Sequence, residues 1–123
     1  MEQEKKQQWK KRVDVFRYIY SFLNNEENNT KVEFDEEQKK IIKYFEDNVM
    51  NISGLIKPLI SKSWTWERTR TIDKAIIMEA YCENKVLGTD KKIVIDQAII
   101  NAKNYSEVNS YKFVNAILDK IID

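Results

Sequence analysis

A chain of 123 residues, 42% of them hydrophobic and 33% charged, has the length of one ordinary domain and the composition of a folded one, which excludes an intrinsically disordered segment. With no histidine and a single cysteine, Cys82, the usual zinc and haem sites, an internal disulfide and most acid–base or nucleophile arrangements lose their commonest members. The net charge of +1 is too small for binding nucleic acid by electrostatics alone, yet it is uneven: residues 1–23 carry six basic and three acidic groups, residues 24–51 four basic and eight acidic.

These counts lead to a first set of expectations: a cytosolic, non-enzymatic chain without metal or cofactor. No apolar run approaches the ~20 residues that span a bilayer, so no membrane role is expected. The polar residues 1–12 are no secretory signal. Only Gly54, Gly88 and Pro58 are available to punctuate turns, which favours helices over sheet. An all-α fold is therefore expected, with residues 1–123 forming one domain.

The first predicted helix covers residues 4–23. Trp9, Val13, Phe16, Tyr20 and Leu23 follow helical spacing and make a core stripe. Lys6, Lys10 and Arg17 fall together on a neighbouring face, and Tyr18 with Phe22 on a third. Residues 24–30 read as a polar loop. Asp35 with Gln38 has the form of a capping box, opening a second helix along the seam Ile42, Phe45, Val49, Ile52, Ile56 and Leu59. Pro58 should kink or end it.

Residues 61–71 read as a connector in which one of Trp64 and Trp66 anchors the core. A third helix over 72–84, capped by Thr71, carries Glu79 on a face that should be apolar, a placement the pattern does not explain. Gly88 supplies turn freedom before a fourth helix capped by Asp90, with Ile95, Ala98, Ile99 and Ala102 on one face. A last helix from Ser110 points Val114, Ile117, Leu118 and Ile121 inward, with Asn109 and Ser110 available as caps. No Walker loop, dinucleotide fingerprint or nucleophile elbow is present.

Three stretches, taken in order, resemble the NusB transcription antitermination family. The run from Lys10-Lys11-Arg12 through Phe16-Arg17-Tyr18-Ile19-Tyr20 is similar to a basic opening followed by a Leu-Tyr pair. Trp64, Glu67-Arg68, the run from Ile72-Asp73-Lys74 to Ile77, and Glu83 are similar to the family's W…ER…I-[DE]-[KR]-A-[IV]-L…E pattern. Ile95-Asp96-Gln97-Ala98 through Lys103, then Ser110-Tyr111-Lys112-Phe113-Val114-Asn115 through Asp119, resemble the closing motifs, and Lys57-Pro58 matches a family Lys-Pro. Lys replaces several Arg of the family opening, Met78 stands at a family Arg, and Ala116 at a family Gly.

The resemblance implies five to seven helices in two small bundles packed crosswise, and a binding role rather than catalysis. Implied partners are single-stranded RNA of ribosomal transcripts, the ribosomal protein NusE and an RNA polymerase elongation complex. Lys5, Lys6, Lys10, Lys11, Arg12 and Arg17 are candidate phosphate contacts, against the plainer reading of a solvated helix face. Lys112 and Phe113, with Asn109, are candidates for holding bases, against a plain core role for Phe113. Tyr20 and Glu83 match partner-facing positions. The expected arrangement is one continuous patch joining the amino-terminal cations to the Phe113 ring. The rival is a protein-interaction module, or a homodimer through the Tyr18/Phe22 side, that keeps the fold and has lost RNA binding. A related domain is fused to some ribosomal RNA methyltransferases, and an enzyme reading of this chain would need a separate subunit.

Overall fold

The computed structural model describes residues 2–26, 32–60 and 66–123, so Trp64 and the loop over 27–31 lie outside the described residues. The described elements are α1 (Glu2–Leu23), α2 (Glu36–Ile56), a 3₁₀ turn (Lys57–Leu59), α3 (Thr71–Leu87), α4 (Lys91–Tyr105) and α5 (Ser110–Ile121), an all-α fold.

Local chemistry explains most of the helix ends. Asp35 accepts from the Gln38 amide at 2.9 Å while its own amide donates to Gln38 Oε1 at 2.8 Å, closing the predicted capping box. Gln38 Nε2 also donates to the Lys11 carbonyl at 3.2 Å, so the start of α2 is fastened to α1. At Pro58 the α-helical pattern gives way to the 3₁₀ turn, as a residue without an amide hydrogen requires. Gly88 ends α3 in the left-handed region at φ +69°, its amide donating to the Asn84 carbonyl, which is where a glycine is needed.

Three predicted caps work differently from expectation. Arg70, not Thr71, is the extended residue before α3, and no side chain caps it. Asp90 and Asn109 stand at the cap positions of α4 and α5 without a side-chain bond to the helix.

The central feature is α3. Every residue from Ala75 to Glu83 is buried, because the other helices surround it: α1 and α2 pack on it and on each other, and α4 and α5 pair and pack on it too. One core results, with Phe16, Ile19, Phe45, Ile76, Ile77 and Leu118 almost wholly out of water. Burial of each such side chain stabilises by about 1.5–3 kcal/mol before entropy is counted. The predicted stripe on α1 is too narrow: Val15 and Ile19 are buried alongside Val13 and Phe16, while Trp9, Tyr20 and Leu23 are half-buried. A helix touching two neighbours needs a wider apolar face than one period reveals.

Trp66 is half-buried against the core, with Lys74 Nζ 4.1 Å and Lys57 Nζ 5.7 Å from its ring centroid. Among the described residues no helix is long and apolar enough to cross a membrane.

Candidate nucleic-acid interface

The cations of α1 divide into two sets. On one edge Trp9 donates from Nε1 to Oδ1 of the buried Asn101 at 2.8 Å, which pins α1 to α4. Its ring stacks near Tyr105, centroids 6.3 Å apart, and Tyr105 meets Phe16 edge-on at 5.4 Å. The Arg17 guanidinium lies 5.5 Å over the same Tyr105 ring. Lys5 and Lys6 line an open groove with Trp9, Gln97 and Ile100. Among the described residues no acidic group pairs with Lys5, Lys6 or Arg17. This edge offers free positive charge beside aromatic surface.

On the other edge Lys11 and Arg12 are spent internally. Lys11 Nζ lies 2.9 Å from Asp35, and Lys10 and Lys11 share a groove with Asp14, Glu33 and Asp35. The hydrogen bond and charge of Asp35 hold the Lys11 ammonium above its usual range. Arg12 turns inward and forms two bonds to Glu83, at 2.9 and 3.0 Å, the side chains only 15% and 5% exposed. Burial opposes the charged guanidinium, yet Glu83's hydrogen bonds and charge hold it protonated above the ordinary value.

Arg12 and Glu83 therefore require correction as a surface phosphate contact and an exposed partner-facing acid. Each neutralises the other, because an unpaired charge at that depth is too costly. Lys10 and Phe113, expected on one continuous patch, line separate depressions.

Beyond Tyr105 the chain turns into an open pocket of about 600 Å³ where the amino ends of α3 and α5 meet. Phe113 is half-buried in its wall, neither sealed in the core nor fully exposed, and Arg70, Asn109 and Val108 border it. Val108 is 86% exposed. At the floor, Ser106 Oγ donates to the buried Asp73 at 2.7 Å and lies 2.9 Å from Ser110 Oγ. Arg70 pairs with Glu107 across the rim. Lys112 is exposed one residue before Phe113, and Lys103 Nζ sits 4.6 Å over the Tyr111 ring beside it.

A profile of the NusB family matches residues 2–123. The chain belongs to the NusB family. It is 40% identical over 78 residues to the transcription antitermination protein NusB of Borreliella burgdorferi, covering 62% of this chain and 54% of that protein. To the protein of the same name from Treponema denticola it is 38% identical over 76 residues, covering 61% and 55%. The chain thus spans about half the length of the curated relatives it matches. A solved structure of T. maritima NusB superposes with a TM-score of 0.76 at 27% identity, covering 92% of this chain and 88% of that one.

NusB membership does not depend on the site residues, and their positions separate them. Lys6 and Arg17 lie on the free edge of α1, Asn109 and Phe113 at the pocket, and Lys112 beside it. Tyr20 is half-buried against the core. The Tyr18/Phe22 side is largely used within the chain: Tyr18 donates to Glu46 at 3.0 Å and meets Phe34, while Phe22 packs edge-on against Phe45 and is 39% exposed. A homodimer through that face would have the outer part of Phe22 and the partly exposed Tyr18 to use.

Sequence reasoning missed Trp9 as a border residue, and also Tyr105 and Arg70. The available signals were a tryptophan among lysines and an aromatic residue at the end of a helix.

Proposed function

We propose that this chain is an RNA-binding transcription antitermination factor that engages single-stranded RNA of ribosomal transcripts together with NusE and an RNA polymerase elongation complex. The observation that carries the reading is the free edge of α1, where Lys5, Lys6 and Arg17 lie beside Trp9 and Tyr105 with no acidic partner among the described residues. Phosphates are attracted by such cations through counterion release. Bases stack on exposed rings, and the Phe113 pocket with Arg70 and Asn109 lies next along the chain from Tyr105.

The names of the relatives, transcription antitermination protein NusB, support the same role. The contribution is shape and charge without bond chemistry. Among the described residues no group of three or more acidic or sulfur ligands could hold a metal. Half-buried Tyr20 is the candidate for a protein partner.

A mobility shift with a short ribosomal leader RNA, run with and without NusE over a salt series, tests the reading. Salt-sensitive binding that NusE strengthens is expected. Failure to bind under both conditions overturns it in favour of a protein-interaction module.

A further inference from the structure

Glu79 is the residue the helical pattern could not explain. It sits in the middle of α3, 3% exposed, surrounded by core. Its Oε2 is the one buried side-chain oxygen or nitrogen among the described residues with no hydrogen-bond partner. Glu83, one helical turn further on, lines the same cavity and lies within side-chain hydrogen-bonding reach of Glu79. Two ionised carboxylates cannot share such a bond, since one of them must donate. Beside them is a small cavity of about 30 Å³ lined from α1, α2 with its cap Asp35, and α3, with Glu79, Glu83, Arg12 and Gln38 in its wall. One water needs roughly 10–15 Å³ of such volume and two or more polar partners.

We propose that Glu79 is a neutral, proton-carrying acid that donates to the Glu83 carboxylate and accepts from one internal water, closing a clasp of Arg12, Glu83 and Glu79 that fastens α1 to α3. The charge balance follows from the geometry. Arg12 supplies one positive charge and Glu83 one negative, already matched by their two bonds. A second negative charge on Glu79 would have no counter-ion at that depth.

Burial, then the charge and hydrogen bond of Glu83, push the Glu79 carboxyl well above its usual range, with Arg12 drawing it down. Burial also acts on Glu83, but the bonds from Arg12, Glu79 and Thr89 and the charge of Arg12 hold it below the usual range. The other charged groups facing the cavity are Lys11 on α1 and Asp35 and Glu37 at the start of α2. On α3 itself, Cys82 is raised by burial and by Glu79.

The sign follows from the raised value. Glu79's contribution to stability is present in full below the ordinary glutamic pKa of about 4.3 and is lost as pH climbs through the folded-state value. Glu83 acts oppositely, its contribution lost as pH falls. The chain has no histidine, so little else titrates between pH 5.5 and 8. The inference stands apart from RNA binding and survives even if that reading fails.

Urea unfolding of the full chain across pH 5.5–8 tests it, beside Glu79→Gln, which keeps the shape and removes the titration. The unfolding constant of the unaltered chain should rise with pH over that range, by up to tenfold per pH unit for the one proton, and that of the variant should stay nearly level. Infrared spectra of the unaltered chain at pH 6 should carry a neutral-carboxyl band, so the test holds even if the variant does not fold. A high-resolution crystal structure should show a water at Glu79 Oε2. A level profile in the unaltered chain, an equal slope in Glu79→Gln, absence of the band or an empty cavity overturns the proposal.

Discussion

The two edges of α1 carry the same kind of residue and treat it in opposite ways. On the edge toward α2 and α3, Lys11 and Arg12 are each bonded to an acid of another segment, and their charge is spent on holding helices together. On the edge toward the end of α4, Lys5, Lys6 and Arg17 lie beside aromatic rings and remain available. Counting cations along the helix gives both edges equal weight. What decides their role is where acids from distant parts of the chain arrive, and only the fold brings Glu83 and Asp35 to one side.

The comparison predicts its largest effect at Arg12. Arg12→Ala leaves the buried Glu83 carboxylate without its counter-charge and should cost about 3–5 kcal/mol of stability, read by urea unfolding. Replacing the pair together, Arg12→Met with Glu83→Leu, should recover part of that loss, the remainder reflecting the acceptor that Glu79 then lacks. If Arg12→Ala leaves stability untouched and weakens RNA binding instead, the division between the edges is wrong.

Next is the pocket beyond the free edge. Phe113→Ala should lower RNA affinity by about 1–3 kcal/mol if one base stacks there, measured by titration at fixed salt. A smaller stability loss should accompany it, since the ring is half-buried. Equal affinity for the two proteins would remove the pocket from the interface.

The free edge itself should show in salt dependence more than in stability. Changing Lys5, Lys6 and Arg17 together to Gln should lower the slope of log affinity against log salt by about 2, at roughly 0.7 per single-strand phosphate contact. Each substitution should alter stability by less than about 0.5 kcal/mol, apart from the lost Arg17 contact with Tyr105. An unchanged slope would move the phosphate path elsewhere.

The fold was legible in the sequence because its signals are local. The Asp35–Gln38 box, Pro58 and Gly88 mark ends through bonds within a few residues, and the seams of α2 and α5 repeat at helical spacing. The placement of Arg12, Glu79 and Glu83 was not legible, because α3 is enclosed on all sides and keeps no polar face for a pattern to detect. The Arg12–Glu83 bond joins residues 71 apart in sequence, and neither residue type announces burial. Phe113 could be narrowed to an exposed stacking ring or core but not decided between them, since helical periodicity does not see a pocket made by the meeting ends of α3 and α5. Trp9 was read as core for a similar reason: its bond to Asn101 comes from a helix 92 residues away.

The smallest predicted effect is at Asp35, and it sharpens the comparison from the spent edge. Asp35→Ala removes the cap of α2, which typically costs about 1 kcal/mol, and at the same time releases Lys11. Because its carboxylate is held below the usual range, first by the Gln38 amide and then by Lys11, that stabilisation should persist at neutral pH and fade only as pH falls through the lowered value. If the spent edge lies off the RNA path, freeing Lys11 should change RNA affinity less than twofold despite the gain of one net positive charge. A tenfold gain in the same titration would mean that Lys10 and Lys11 lie within reach of the phosphates and that Asp35 holds that edge in check.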